Sequence, residues 1–227
     1  MVAVGFNLIG RKMHILFLTD NFPPEVNAPA SRTFEHCCEW VKAGHRVTVI
    51  TCAPNFPHGQ LFEGYANAWY QTEIMSGIKV VRVKTYIAAN QGVIRRSLDF
   101  FSFLITGTVA GLCQPSPNVV AATSPQFFSA VAGWLVASLK RRPFVFELGD
   151  LWPNSISAVG VMKKGFLLSL LEKIELFLYR RSVAIVALTQ AFKKDLVARH
   201  IAADRVHVVM NGVDLDRYKP RDRHEGL

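Results

Sequence analysis

The sequence predicts an α/β protein: a Rossmann-like, doubly wound, mainly parallel sheet of about seven strands, with helices on both faces. Two observations support this prediction. Short apolar runs alternate with longer segments of helical periodicity along almost the whole chain. The apolar runs are also nearly continuous, as in residues 13–19, which is typical of parallel strands that are buried on both faces.

The first half of the chain is predicted to begin with a strand over 13–19, which ends at Asp20. Helical spacing follows over 30–43, and Gly44 is expected to end that helix as its C′ residue. The next expected elements are a strand over 46–52, a long loop over 53–72, a strand or hairpin around Gly77 that includes 74–75 and 78–83, and a helix over 93–113.

The second half is predicted to alternate strands with helices. The expected strands cover 119–123, 143–147, 184–188 and 205–210, and the expected helices cover 125–139, 165–181 and 190–200. This order favours a parallel sheet, because parallel strands need long crossover connections. Ligands of such sheets bind beyond the carboxyl ends of the strands, so candidate site residues are sought in the loops found there.

The composition excludes several classes of protein. Half of the 227 residues are hydrophobic and 19% are charged, which excludes a disordered chain. Four cysteines without C-x-x-C spacing exclude a disulfide scaffold and a zinc knuckle, and they fit reduced thiols in a cytoplasmic protein. A net charge of +9 with a mean hydropathy of +0.21 favours an anionic membrane surface over nucleic acid as a partner. No metal site is predicted.

The loop after the first strand runs from Asp20 into a helix N-terminus, where free N–H groups favour an anion. It contains neither a G-x-G-x-x-G nor a Walker motif, so ordinary NAD or ATP binding is not supported. The alternative for this loop is a rigid proline turn with Ser31 near the helix cap.

Two further loops hold candidate residues. Asp150 and Trp152 directly follow a predicted core strand, where a carboxylate can take a proton or orient a sugar hydroxyl. The alternative for Asp150 is that it caps a turn. His58 lies among rigid residues in the long loop and can hydrogen-bond an acceptor, although a lone loop histidine is more often simply solvated.

Taken together, five segments resemble one family in the family's own order: FLTDNFPPE (17–25), AGHRVTVIT (43–51), APNFPHG (53–59), FELGDLWPNSI (146–156) and VMNGVDLDRYKP (209–220). They are similar to the amino-terminal half of GT-B-fold glycosyltransferases of family four. The subgroup that they resemble most is the WbuB-like transferases of bacterial surface polysaccharide synthesis, which include N-acetyl-L-fucosamine transferases.

The resemblance implies a two-domain enzyme that transfers a sugar with retention and without a metal. The nucleotide-sugar donor is a substrate that is expected to be UDP-linked, and the family's second domain mainly binds it. The implied organisation is an extension over 1–12, an acceptor-side domain over 13–212 and the start of a linker over 213–227. The resemblance places Asp150 near the reacting carbon. It also implies a cleft lined by Glu25, Asn27, Ser31, Arg32, His58, Trp152 and Asn211.

Cations beside apolar surface indicate a membrane-facing helix. Arg95 and Arg96 precede the apolar part of the segment 93–113, which suits an anionic lipid face and a lipid-linked saccharide acceptor. We therefore expect a cytoplasmic protein that is peripheral on the membrane. The alternative is an ordinary sheet-covering helix, and for 166–179 core packing is the expected role.

Two other functions compete with the transferase. One is a non-catalytic sugar- or nucleotide-binding module of Rossmann-like fold. The other is a small Rossmann-type oxidoreductase, against which the missing glycine-rich fingerprint counts.

Overall fold

The computed structural model describes residues 12–87, 93–124, 126–151 and 166–212, and these form an α/β fold around one sheet. The strands are β1 (His14–Leu18), β2 (Arg46–Cys52), β3 (Tyr70–Met75), β4 (Ile78–Val83), β5 (Val119–Thr123), β6 (Phe144–Leu148), β7 (Ala184–Ala187) and β8 (Val206–Val208). Their spatial order is β3-β4-β2-β1-β5-β6-β7-β8. All neighbours pair in parallel except β3 and β4, which form an antiparallel hairpin.

The prediction of a doubly wound, mainly parallel sheet is confirmed, and the sheet within the described residues has eight strands instead of about seven. The difference lies in β3, where only residues 74 and 75 were expected to be extended. In the structure β3 begins at Tyr70, so the loop after β2 is shorter than predicted. β3 is an edge strand with alternating exposed residues, and it therefore lacks the continuous apolar run of the buried strands.

Helices cover both faces of the sheet, as predicted. They are α1 (Ala28–Lys42), α2 (Val93–Cys113), α3 (Phe127–Lys140), α4 (Phe166–Arg181) and α5 (Gln190–Ala198). One core contains Phe17 of β1, Val80 of β4 and Cys37 of α1. The larger core lies on the opposite face and takes residues from the other four helices. Leu178 and Tyr179 are fully buried there, in line with the expected core packing of this segment.

The first helix begins two residues earlier than predicted, and Asn27 caps it instead of Ser31. The Asn27 Oδ1 accepts the backbone N–H of Ala30 at 2.9 Å. Ser31 already lies within the helix, because its N–H donates to the Asn27 carbonyl at 3.0 Å. At the other end Gly44 has a φ of 85°, which confirms the glycine as the residue that ends this helix.

A buried arginine fastens the loops at one side of the sheet. The Arg82 side chain is 2% exposed, and its Nε pairs with the carboxylate of Glu73 on β3. Its two terminal nitrogens donate to the carbonyls of Cys52 and Pro23, which end β2 and belong to the loop after β1. The guanidinium therefore joins two strand-end loops to the edge hairpin.

His14 is a buried histidine that must be neutral to fit its surroundings. Arg46 can only donate, and its Nη2 lies 2.9 Å from the His14 Nδ1, so Nδ1 is the acceptor. The His14 Nε2 then carries the proton and donates to the Thr48 hydroxyl at 2.9 Å. Burial and, second, the Arg46 charge lower the pKa of His14 from 6.5 to about 4.

This lowered pKa predicts a loss of stability in acid. Below pH 6.5 His14 is protonated in the unfolded chain, whereas in the folded chain it stays neutral down to about pH 4. The free energy of unfolding should fall by about 2–3 kcal/mol from this residue between pH 7 and pH 4.5. Chemical denaturation at both pH values should show a smaller acid loss for His14→Gln than for the unmodified chain. His207→Gln, at an exposed position on β8, is the control. An equal acid loss in all three proteins would contradict the prediction.

Candidate functional site

The candidate site lies where the sheet changes its direction of winding. The chain continues from β1 to β2 on one side, whereas β5 pairs with the other side of β1. Ligands of α/β proteins bind at such a switch point, beyond the carboxyl ends of the strands. A small, shallow depression lies there, and its lining residues are Thr19, Asp20, Asn21, Pro29, Thr123, Ser124 and Gln126.

The loop after β1 forms one wall of this depression. Asn27 uses its oxygen to cap α1 and donates from Nδ2 to the Asn21 side-chain oxygen at 2.6 Å. The Thr19 hydroxyl donates to the Asn21 carbonyl at 3.0 Å. Asn27 therefore supports a lining residue of the depression, while its own oxygen is engaged by the helix.

Glu25 is buried between two strand-end loops and does not line the depression. Its Oε1 accepts the backbone N–H groups of Asn55 at 2.8 Å and Phe56 at 2.9 Å. Burial raises the pKa of the Glu25 carboxyl, and these N–H donors oppose that shift. The residue thus joins the loop after β1 to the loop after β2, which carries His58.

Arg32 contacts a lining residue of the depression, Thr123, and forms a buried ion pair. Its Nε is 2.9 Å from Oε1 of Glu147 on β6, and the two side chains are 11% and 5% exposed. Its Nη2 donates to the Thr123 hydroxyl at 3.0 Å, and the Nδ1 of His36 lies 3.7 Å from the same carboxylate. An anionic ligand would have to compete with Glu147 for this guanidinium. In the structure Arg32 therefore connects α1 to the ends of β5 and β6.

Asp150 lies two residues beyond β6 and is half-buried. Its backbone N–H lies 3.4 Å from the hydroxyl of Ser124, which lines the depression. None of the hydrogen bonds found in the described part of the chain uses the Asp150 carboxylate. The turn that Asp150 was alternatively expected to cap lies outside the described residues, as does Trp152.

The remaining predicted site residues do not join this group. Ser31 is exposed on α1, and His58 is exposed in the loop after β2. Asn211 is exposed three residues beyond β8, which is four strands away from β1, or roughly 19 Å at about 4.8 Å per strand. The structure therefore places Asn27, Arg32 and Asp150 in contact with residues that line one depression. Asn211 lies at the far side of the same edge.

Several residues that line or support the depression were not identified from the sequence. Gln126 caps α3, since its Oε1 accepts the Ser129 N–H at 2.7 Å, and it also lines the depression. Ser124, Glu147 and Asn21 were not among the predicted site residues either. Their signal in the sequence is their position, because each lies at or directly beyond the end of a predicted strand.

Two kinds of feature are not found in the part of the chain that the structure describes. None of its helices combines the length and apolar character that a membrane span requires. No group of three or more His, Cys, Asp or Glu side chains within it is arranged to hold a metal ion.

Comparison with known proteins identifies the family. The sequence profile of Glycosyltransferase Family 4 matches residues 30–217. A protein of Escherichia coli strain K12, named as a colanic acid biosynthesis glycosyl transferase, WcaI, is 28% identical over 156 residues, which are 67% of this chain and 38% of that protein.

Solved structures share the fold at low sequence identity. Sucrose-phosphate synthase from Thermosynechococcus elongatus has a TM-score of 0.67 and 9% identity over 93% of this chain and 51% of its own. The catalytic domain of starch synthase IV from Arabidopsis thaliana, bound to ADP and acarbose, has a TM-score of 0.62 and 13% identity over 91% of this chain and 53% of its own. HepE from Anabaena, in complex with UDP-glucose, has a TM-score of 0.54 and 16% identity over 92% of this chain and 46% of its own.

The chain thus spans about half the length of the solved structures it matches and 38% of the E. coli protein. The fold is that of one half of a GT-B glycosyltransferase, as the sequence predicted. Because the family profile covers most of the chain, the chain belongs to glycosyltransferase family 4.

Proposed function

We propose that this chain is the acceptor-binding half of a retaining, WbuB-like glycosyltransferase. The enzyme would move a sugar from a UDP-linked donor to a lipid-linked saccharide in bacterial surface polysaccharide synthesis. The observation that carries the proposal is the depression at the switch point, with Asp150 at the end of the strand next to β5. The donor-binding domain would follow the linker that is expected after residue 212.

The lining of the depression suits a sugar. The Ser124 hydroxyl is occupied by the Gly149 and Asp150 N–H groups. The hydroxyl groups of Thr19 and Thr123 and the side-chain amides of Asn21 and Gln126 also lie there. These groups both donate and accept hydrogen bonds, as the hydroxyls of a saccharide do. Two helices, α1 and α3, also begin at this place, each capped by a neutral amide side chain.

Asp150 would supply charge where the reaction needs it. A carboxylate at the cleft edge can hydrogen-bond a sugar hydroxyl or stabilise positive charge that develops at the anomeric carbon. The proposal needs no covalent intermediate on Asp150. The donor phosphates would be held by the second domain, and no metal is invoked.

The relatives support the choice of substrates. The E. coli relative is named for colanic acid biosynthesis, which is the making of a polysaccharide, and the HepE structure contains UDP-glucose. The subgroup that the sequence segments resemble includes N-acetyl-L-fucosamine transferases, so UDP-N-acetyl-L-fucosamine is one of the donors to be tested.

We further propose that α2 attaches the protein to the cytoplasmic face of an anionic membrane. Between residues 98 and 112, every exposed position of this helix is apolar, namely Leu98, Phe101, Ile105, Val109 and Leu112. We call these five residues the α2 stripe. Phe103 and Ala110, on the opposite side of α2, are buried in the core, so the helix both covers the sheet and presents an apolar outer side.

Charge favours a lipid surface as the partner of the α2 stripe. Residues 93–142 contain five basic residues, Arg95, Arg96, Lys140, Arg141 and Arg142, and one acidic residue, Asp99. Arg95 is exposed near the start of α2, while the Arg96 side chain lies outside the described residues. The Lys140 Nζ donates to the carbonyls of Leu112 and Gln114 at the other end. Cations thus flank the α2 stripe at both ends, which suits anionic headgroups.

Replacement of Asp150 tests the catalytic part of the proposal. In the two-domain protein, Asp150→Asn should lower kcat on the order of 10²-fold or more and shift Tm by a few degrees at most. The assay is UDP release from UDP-glucose, UDP-galactose, UDP-N-acetylglucosamine and UDP-N-acetyl-L-fucosamine, with a bacterial lipid extract as the source of acceptor.

Two controls accompany this measurement. Asp204→Asn removes an exposed carboxylate before β8, at the opposite edge of the sheet, and should leave kcat unchanged. The 227-residue chain alone should release no UDP, because the proposal assigns the donor contacts to the second domain. A folded Asp150→Asn protein with near-normal kcat would exclude Asp150 from the reaction.

Flotation with vesicles tests the membrane part. The chain should bind phosphatidylcholine vesicles that contain one quarter phosphatidylglycerol, more weakly in 0.5 M than in 0.1 M NaCl because salt screens exposed charges. Arg95→Glu with Arg96→Glu should weaken binding, and so should Phe101→Ser with Ile105→Ser. Val197→Ser, at an exposed position on α5, is the control.

Binding that responds to neither salt nor these changes would contradict attachment through α2. If the chain instead forms a dimer that Phe101→Ser with Ile105→Ser dissociates, the α2 stripe is a contact between copies of the chain.

A further inference from the structure

We propose that Ser124 is a positioning residue, which sets the place of Asp150 by holding the backbone of residues 149–150 against the end of β5. This inference rests on the proposed function, because it concerns the geometry of the carboxylate to which that function gives a catalytic role.

The Ser124 hydroxyl continues the pairing of β5 with β6 beyond the point where the backbone ladder ends. The last ladder bond here is from the Ser124 N–H to the Glu147 carbonyl at 3.0 Å. The next N–H groups, those of Gly149 and Asp150, lie 3.0 Å and 3.4 Å from the Ser124 Oγ. The same hydroxyl lies 3.5 Å from the Asp150 carbonyl. The Ser124 side chain therefore accepts the hydrogen bonds that a backbone carbonyl would accept if β5 were longer.

The close approach of the two chain segments needs a glycine at position 149. A Cβ on Gly149 would lie 2.4 Å from the Ser124 carbonyl oxygen and 2.6 Å from Nη2 of Arg32. Real Cβ atoms do not approach other atoms so closely, so any side chain would push the loop away from Ser124. Arg32 in turn pairs with Glu147 on β6 and donates to Thr123 on β5, and these two contacts hold the ends of the strands together.

Burial explains why this contact should matter more for position than for folding. Ser124 is 3% exposed, whereas Gly149 and Asp150 are each only half-buried. Without the hydroxyl, water can reach the two freed N–H groups and the fold survives. The loop would then lose the bond that defines its distance from the depression. A displacement of a catalytic group by about 1 Å can lower a rate by about 10²-fold.

The first experiment uses the 227-residue chain and does not depend on its activity. Amide hydrogen exchange, followed by NMR, should show that Ser124→Ala removes the protection of the Gly149 and Asp150 amides. Ser182→Ala is the matched control: Ser182 is also buried, and its hydroxyl donates to the Leu178 carbonyl at 2.8 Å, between α4 and β7. Unchanged protection of both amides in Ser124→Ala would overturn the proposal.

The second experiment measures kcat and KM in the two-domain protein with the UDP-sugar that reacts fastest. Ser124→Ala should lower kcat about 10- to 100-fold and change KM less than about twofold. Gly149→Ala should have the same effect, because it keeps the Ser124 hydroxyl but displaces the loop. In the Asp150→Asn background, Ser124→Ala should have no further effect on kcat, because it acts through the lost carboxylate.

The outcomes separate this inference from the proposed function. A large effect of Asp150→Asn with none of Ser124→Ala overturns the positioning role and leaves the proposed function intact. Equal effects of Ser124→Ala with and without the Asp150 carboxylate also overturn it. A near-normal kcat for Asp150→Asn overturns the role of Asp150, and the role of Ser124 in catalysis with it, even where the exchange result is as expected.

Discussion

Parallel pairing is the constraint on which the rest of this structure depends. Because β4, β2, β1, β5, β6, β7 and β8 all run in the same direction, the loops that follow them lie along one edge of the sheet. The backbone ladder stops at that edge, and polar side chains continue the bonding between loops. Glu25 joins the loops after β1 and β2, and Ser124 joins the loop after β6 to the end of β5.

The buried charges at this edge act on position more than on stability. Burial of a carboxylate or guanidinium is costly, and a well-formed ion pair offsets that cost only in part. The Arg32–Glu147 pair nevertheless links α1 to β6, which are far apart in the chain. Arg82 forms its ion pair within the β3–β4 hairpin, and its terminal nitrogens bind the distant carbonyls of Cys52 and Pro23. Such polar contacts are directional, so they determine which segments meet. A purely apolar contact is less specific in this respect.

The sequence was sufficient for the elements and for the location of the site, but not for its internal contacts. The strand over 119–123 and the helix over 93–113 were predicted with the bounds observed, because both have strong apolar patterns. β3 was predicted too short because an edge strand is only half covered. Asn27 was overlooked as the cap of α1 because Ser31, four residues further along, is also a residue type that caps helices. The pairing of Arg32 with Glu147 follows from the fold alone, since no local pattern connects residues so far apart in the chain. The positions of Asp150 and Asn27 near one depression could be expected from strand ends.

The direction of α2 has a consequence for how an acceptor would reach the protein. This helix connects the end of β4 to the start of β5, so its axis runs opposite to the strands and measures about 31 Å for 21 residues. If the α2 stripe lies flat on a bilayer, the strands lie parallel to the lipid surface. The depression at their carboxyl ends then opens along the plane of the membrane instead of away from it. With a helix diameter of about 10 Å between lipid and sheet, the opening would lie near the bilayer surface, close to the proposed lipid-linked sugar in the same leaflet. An acceptor diffusing in the plane of the membrane would then enter along its own direction of travel.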